Sequence, residues 1–303
     1  MKNSGKTVFI LLSIFVVILI GVSFIDTDKK EEPVADLNNY APIKSVTLPK
    51  KMDFAGERVP LDIFYVREHL DRELTINTYW HSSTILWLKR AERWFPVIEP
   101  ILKEEGVPDD FKYLALIESG FMQVVSPSGA TGFWQFLRGT AKDYGLEVSR
   151  YVDERYHVEK STYAACRYIK AAYEKYNDWT LVAASFNAGK RRVSESIEEQ
   201  KGKTYYDLHL NSETARYVYR ILAAKEIFTN PEKYGFFLSK EDLYRPVCIK
   251  YVPVTETIDN LAEFAKSHNI SYRMLKELNP WLISDKLREP GDSSYLIALP
   301  DGS

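Results

Sequence analysis

The chain has 303 residues, 45% of them apolar, and its 40 Lys and Arg against 42 Asp and Glu leave a formal charge of −2. That length holds one or two packed domains with extras, and the near-balanced charge, with no stripe of basic residues, argues against nucleic acid as a partner. Five histidines, at 69, 81, 157, 209 and 268, form no pair at metal-ligand spacing, and there is no phosphate-binding loop or dinucleotide fingerprint, so neither a metal nor a cofactor is expected.

Lys2 and Lys6 precede a largely apolar run from Val8 to Ile25, and Asp26-Thr27-Asp28-Lys29-Lys30 follow it. The run is rich in Ile, Val, Leu and Phe, lacks a small-residue exit and is about long enough to span a bilayer. Residues 1–25 are therefore read as an uncleaved membrane anchor in preference to a cleaved signal peptide. A short basic flank before such a run is usual for export, which puts the rest of the chain outside the cytoplasm. Residues 26–50, with Pro33, Pro42 and Pro49 and no apolar period, read as a flexible tether. Pro60 opens a helical pattern to about Glu73. Ser82-Ser83 open another through Ile85, Leu88 and Trp94, until Pro96 and Pro100 break or restart it.

Pro108 then starts a helix on which Phe111, Leu114, Ala115 and Glu118 share one face. Tyr113, Leu116 and Ile117 make its last turns apolar nearly all round, the pattern of a buried helix. A carboxylate at the end of such a helix, before Ser119-Gly120 and a Gly-rich loop, loses solvation when ionised. Its pKa rises, which is how a glutamate becomes a general acid near neutral pH. Further on, Ala164, Tyr168, Ile169, Ala172, Tyr173 and Tyr176 mark a long amphipathic helix after Ser161, and Trp179 to Ala188 forms the next, ended by Gly189. Cys166 and Cys248 are read as unpaired thiols. From Tyr251 to Pro300 the pattern gives a strand, two short helices and a closing strand.

Three ordered motifs run through the middle of the chain: Glu118-Ser119 with Ser126 to Gln135 and Thr140-Ala141; Ser185-Phe186-Asn187-Ala188-Gly189-Lys190-Arg191-Arg192-Val193; and Glu213-Thr214-Ala215-Arg216-Tyr217-Val218. Together they make residues 108–221 resemble the catalytic domain of the soluble-lytic-transglycosylase (SLT) family. Residues 247–300 are similar to a LysM module, with Thr255-Glu256-Thr257 where that family carries Gly-Asp-Thr. The module either binds N-acetylglucosamine-containing chains or is a packing domain without a ligand.

The resemblance implies a mainly α fold: a lysozyme-like helical domain over residues 51–240, including an N-terminal helical extension, and a small α+β module after it. It implies a lyase acting on peptidoglycan glycan strands, with Glu118 as the single acid and base and a 1,6-anhydro sugar as product. It places Ser126, Gln135, Asn187, Phe186 and Tyr217 at the sugar groove. Ser126 is equally a turn residue, and Trp134 either floors a sugar subsite or packs in the core. Asp143, Asp153 and Asp178 stand outside the matched motifs and are read as solvated surface acids. Two departures stand out: Phe186 replaces the family's Tyr, which removes a hydroxyl expected near the glutamate, and Lys190-Arg191 replace its Pro-Gly. A goose-type lysozyme, which is a hydrolase of the same fold, and a non-catalytic wall-binding scaffold are the rival readings.

Overall fold

The computed structural model describes residues 43–291 and 294–301. The expected anchor and most of the tether lie outside them, and among the described residues no helix is long and apolar enough to cross a membrane. Residues from Val46 onward form one compact unit. Val46, Leu48 and Met52 already pack on its core, so the last residues of the expected tether belong to the packed chain.

A short hairpin, β1 (Asp53–Phe54) and β2 (Glu57–Arg58), leads into α1 (Phe64–Tyr79) and α2 (His81–Glu104). Contrary to expectation, α2 runs through both Pro96 and Pro100. Each proline removes one backbone donor, but Glu92, Pro96 and Pro100 form one exposed stripe, where water can satisfy the carbonyls left over. The opposite face, with Ala91, Ile98, Ile101 and Leu102 buried, packs the helix on the core. Next come α3 (Lys112–Ser119), which follows a single 3-10 turn after Pro108, then α4 (Arg138–Asp143), α5 (Val158–Tyr176), α6 (Trp179–Ala188), α7 (Lys190–Gln200) and α8 (Thr214–Thr229). The buried Glu73 of α1 takes the guanidinium of Arg216 on α8 at 2.7 and 3.1 Å, and Lys225 ties α8 to Asp110 at 2.7 Å and Asp53 at 3.0 Å. The short α3, apolar on nearly every side, is thereby enclosed by longer helices.

A second, smaller core follows. Strand β3 (Ile249–Val254) pairs antiparallel with β4 (Tyr295–Pro300), Ile249 opposite Pro300, and α9 (Leu261–Ser267) and α10 (Tyr272–Leu278) lie between them in sequence, in the expected order. Its apolar centre is Leu261, Leu275, Trp281, Leu282, Leu287, Ile297 and Leu299, joined by Val152 from the helical part. Asn279 is wholly buried there. Its amide donates to the carbonyls of Leu275 at 2.9 Å and Ala298 at 2.7 Å and accepts the Ala298 N–H at 2.7 Å. Cys166 is buried and Cys248 exposed, and both are free thiols.

Candidate active site

Helix α3 delivers Glu118 to the wall of a groove of about 800 Å³ that is also lined by Ser126, Gln135, Asp143, Tyr144, Tyr168, Phe186, Asn187, Lys190 and Glu213. Phe111, Leu114 and Ala115, on the same face of the chain, are fully buried. Gly120 ends the helix in the left-handed region, φ 59°, with its N–H on the Leu116 carbonyl at 2.7 Å. A Cβ there would sit 2.8 Å from the Trp87 indole nitrogen, so only glycine turns the chain at this point. The Ser119 hydroxyl, 3.1 Å from the Phe133 carbonyl, fastens the end of the helix to the loop that follows.

Burial raises the Glu118 pKa above its ordinary value, and the nearby Glu213 charge acts in the same direction. The Tyr217 hydroxyl, which donates to Oε1, and the positive charge of Arg220 oppose the rise without cancelling it. Arg220 also donates to the Ile117 carbonyl at 2.8 Å, one residue before the acid. The side chain is thus a carboxyl biased toward its protonated form and held from behind by α8.

The loop from Ser126 to Phe136 forms the adjoining wall. Ser126 accepts the Ala130 N–H on its hydroxyl at 3.0 Å and lies 2.9 Å from the Ser128 hydroxyl, so it shapes the turn as well as lining the groove. Both N–H groups of the Gln135 amide are occupied, by the carbonyls of Gly132 at 2.8 Å and Val124 at 3.1 Å, which leaves its oxygen as the group available to a ligand. Asn187 is fixed by Glu213 at 3.1 Å and Thr214 at 2.8 Å. Phe186 is half-buried against Phe136 and Tyr168, with ring centroids 5.7 and 5.1 Å away.

Three expectations are corrected by the geometry. Trp134 has no exposed surface, and its indole N–H donates to Thr162 at 2.9 Å, so it packs in the core and cannot floor a sugar subsite. Tyr217, only 1% exposed, stands behind Glu118 and not in the groove. Its hydroxyl also means that Glu118 does not lack a donor, despite phenylalanine at 186.

The third correction concerns the acids read as solvated. Asp143 is exposed, in agreement with that reading, and lines the groove, whereas Asp178 caps α6, accepting the Leu181 N–H at 2.8 Å. Asp153 is buried in a two-pronged bond with Arg155, at 2.9 and 2.7 Å. Arg155 in turn donates to the carbonyls of Gly129 at 3.0 Å and Phe136 at 3.1 Å, the two sides of the groove loop. A Cβ on Gly132 would meet the Arg155 carbonyl at 2.0 Å, so the loop lies directly on this segment. The other side of the same segment meets the C-terminal module, where Asp153 N–H donates to the Trp281 carbonyl at 2.9 Å and Ile283 N–H to the Tyr151 carbonyl at 3.1 Å. Nothing in the order of residues signalled this clamp, because its acid and its base are separated by one residue outside every matched motif. Arg220 carried a fainter signal, three positions beyond Tyr217 on one helix face.

Comparison with known proteins agrees with this layout. Residues 95–208 match the family described as Transglycosylase SLT domain, and residues 250–303 match the Soluble lytic transglycosylase C-terminal LysM-like domain. Membrane-bound lytic murein transglycosylase D of Escherichia coli (strain K12) is 29% identical over 238 residues, 77% of this chain and 51% of that protein. A protein of Alteromonas sp. (strain M-1) named for tributyltin chloride resistance is 31% identical over 127 residues, 41% of this chain and 61% of that one. The crystal structure of the 70 kDa soluble lytic transglycosylase of Escherichia coli covers 60% of this chain and 31% of that chain at 19% identity, with a TM-score of 0.42. The chain spans about half the length of the curated murein transglycosylase it matches. With Glu118 at the groove and the closing hairpin in place, the chain carries a transglycosylase SLT domain and, after it, a LysM-like domain of the soluble lytic transglycosylases.

Proposed function

We propose that this chain is a peptidoglycan lytic transglycosylase that cuts the bond between N-acetylmuramic acid and N-acetylglucosamine. The observation that carries the reading is a carboxyl with raised pKa, set by the matched SLT domain at the wall of an open groove. Glu118 donates its proton to the bridging oxygen as the bond to C1 breaks. As a carboxylate it then takes the proton of the C6 hydroxyl while that oxygen closes on C1. The proton count returns to its start, no water is consumed, and the product ends in a 1,6-anhydro sugar. Tyr217 and Arg220 keep the carboxylate form within reach between the two steps, since both favour the charged state.

Ser126, Gln135 and Asn187 supply hydrogen bonds to N-acetyl and hydroxyl groups, and Phe186 gives an apolar surface for a sugar ring. The murein transglycosylase relative is named as membrane-bound. The apolar run at residues 8–25 fits the same address, an envelope enzyme anchored by its N-terminus with its catalytic unit outside the cytoplasm. The LysM-like module is the second contact with the wall.

Digestion of purified murein, read by mass spectrometry, tests this. The parent chain should release fragments with anhydro ends, one water lighter than hydrolysed ends, and Glu118→Gln should lose on the order of 10²- to 10⁴-fold in rate while still binding murein. Asp143 and Glu213 share the groove with Glu118, and two carboxyl groups are what hydrolysis requires. Fragments carrying hydrolysed ends would therefore assign a lysozyme-like hydrolase instead, and no soluble fragments at any pH would assign a wall-binding scaffold.

A further inference from the structure

Lys190 is the one cation among the described residues that line the groove, and it shares that space with three carboxyl groups, Glu118, Asp143 and Glu213. It is not loose. Gly189, at φ 84°, turns the chain out of α6, and Lys190 begins α7. Its ammonium donates to the Tyr144 hydroxyl at 2.8 Å and lies 4.9 Å from the Tyr168 ring centroid and 5.5 Å from that of Tyr144. The side chain is half-buried, and among the described residues it makes no ion pair, although Lys112, Lys160, Lys170, Lys225 and Lys233 all do.

Such an arrangement calls for a reason. An ammonium has three N–H groups, and one is accounted for by Tyr144. Two aromatic faces attract a cation and hold it in place but accept no conventional hydrogen bond. The helix gains nothing from a cation in its first turn, where its dipole favours the opposite charge. A partly desolvated ammonium with donors to spare, pre-positioned in a groove, is matched by an anion that arrives with the ligand.

We propose that Lys190 is a specificity-determining residue that seats a carboxylate carried by the muramic acid side of the substrate. This rests on the transglycosylase reading. The sugar rings of a murein glycan are uncharged, so the carboxylate belongs to the peptide where one is attached, and to the lactyl group only on a muramic acid without peptide, since the peptide otherwise occupies that carboxyl as a neutral amide. The two sources offer the same chemistry to an ammonium: a flat anion able to accept two of its hydrogen bonds. A groove otherwise lined by acids would repel that substituent, and Lys190 turns the repulsion into selection.

The test compares parent, Lys190→Met and Lys190→Arg on three substrates: native murein glycan peptides, the same material with its free carboxyl groups chemically amidated, and glycan stripped of peptide, which keeps only the lactyl carboxylate. On native substrate, Lys190→Met should raise KM on the order of tenfold with a far smaller change in kcat, since one charge-assisted contact is lost. Lys190→Arg should recover most of the difference. On amidated substrate, parent and Lys190→Met should share one KM. A difference confined to peptide-bearing glycan assigns the seat to the peptide carboxylate alone, and one that persists on stripped glycan shows that it also takes the lactyl carboxylate freed there. Equal KM values for parent and Lys190→Met on native substrate, or an equal loss on amidated substrate, would overturn the proposal. If the parent releases no anhydro ends from any substrate, the reading of the reaction falls instead.

Discussion

Asn279 and Glu118 are both polar side chains set among apolar ones, and the two cores treat them in opposite ways. In the C-terminal module all the hydrogen-bonding groups of the Asn279 amide are satisfied by backbone, within 2.7 to 2.9 Å. In the helical part Glu118 has, among the described residues, a single hydrogen-bond partner, the Tyr217 hydroxyl, and burial leaves its ionised form disfavoured. A satisfied buried polar group stabilises a fold and rigidifies it. An under-satisfied one at the edge of a groove holds chemical potential that a substrate can use.

Removing the amide should break the comparison most visibly. Asn279→Ala leaves the Ala298 N–H and carbonyl without partners in an apolar core, while the Leu275 carbonyl keeps the backbone N–H of residue 279, and should cost about 1–3 kcal/mol of stability in chemical denaturation. Cleavage per folded molecule at low temperature should change little. A loss of activity that tracked the loss of stability at every temperature would show that the module acts on the groove directly.

Glu118→Gln should move stability the other way. The folded state holds the Glu118 proton more tightly than the unfolded chain, so the carboxyl contributes most when protonated, and that contribution declines as pH rises from its ordinary 4.5 through the raised value. The neutral amide avoids this decline. The variant should therefore melt above the parent at pH 7, and the margin should shrink as pH is lowered toward and below 4.5. A variant less stable than the parent at pH 7 would mean that the carboxylate is satisfied after all.

The smallest effects sharpen the comparison. Tyr217→Phe removes the donor to the charged form and should raise the upper limb of the pH-rate profile, because the acid holds its proton to higher pH. Phe186→Tyr offers a second donor in the same groove and should lower that limb. Its shift should be smaller, since Tyr217 already satisfies one oxygen. Shifts of the same sign would show that Phe186 does not face Glu118.

Local pattern made the helices around the acid legible. Phe111, Leu114, Ala115 and Glu118 recur at helical spacing, Gly120 takes the left-handed turn that only it accommodates, and the order of β3, α9, α10 and β4 follows from where apolar runs start and stop. What pattern could not supply was direction in space. Trp134 and Phe186 are both aromatic residues of matched motifs, but only the approach of α5, which brings Thr162 within 2.9 Å of the indole nitrogen, decides that Trp134 faces inward. Tyr217 reaches Glu118 from behind and not from the groove, because a position along α8 does not determine the depth at which α8 meets α3. Proline is a helix breaker in isolation, and α2 escapes the rule because its two prolines fall on the water side.

The Arg155 guanidinium, held by Asp153 and holding both sides of the groove loop, bears on how tightly a ligand can be gripped. A loop free to wander would lose on the order of 1–2 kcal/mol of backbone entropy for each residue it stilled around a ligand. Here that ordering takes place once, when the chain folds and the C-terminal module closes over Tyr151–Arg155. A ligand that enters meets a wall already in place, and more of the contact it makes survives as affinity.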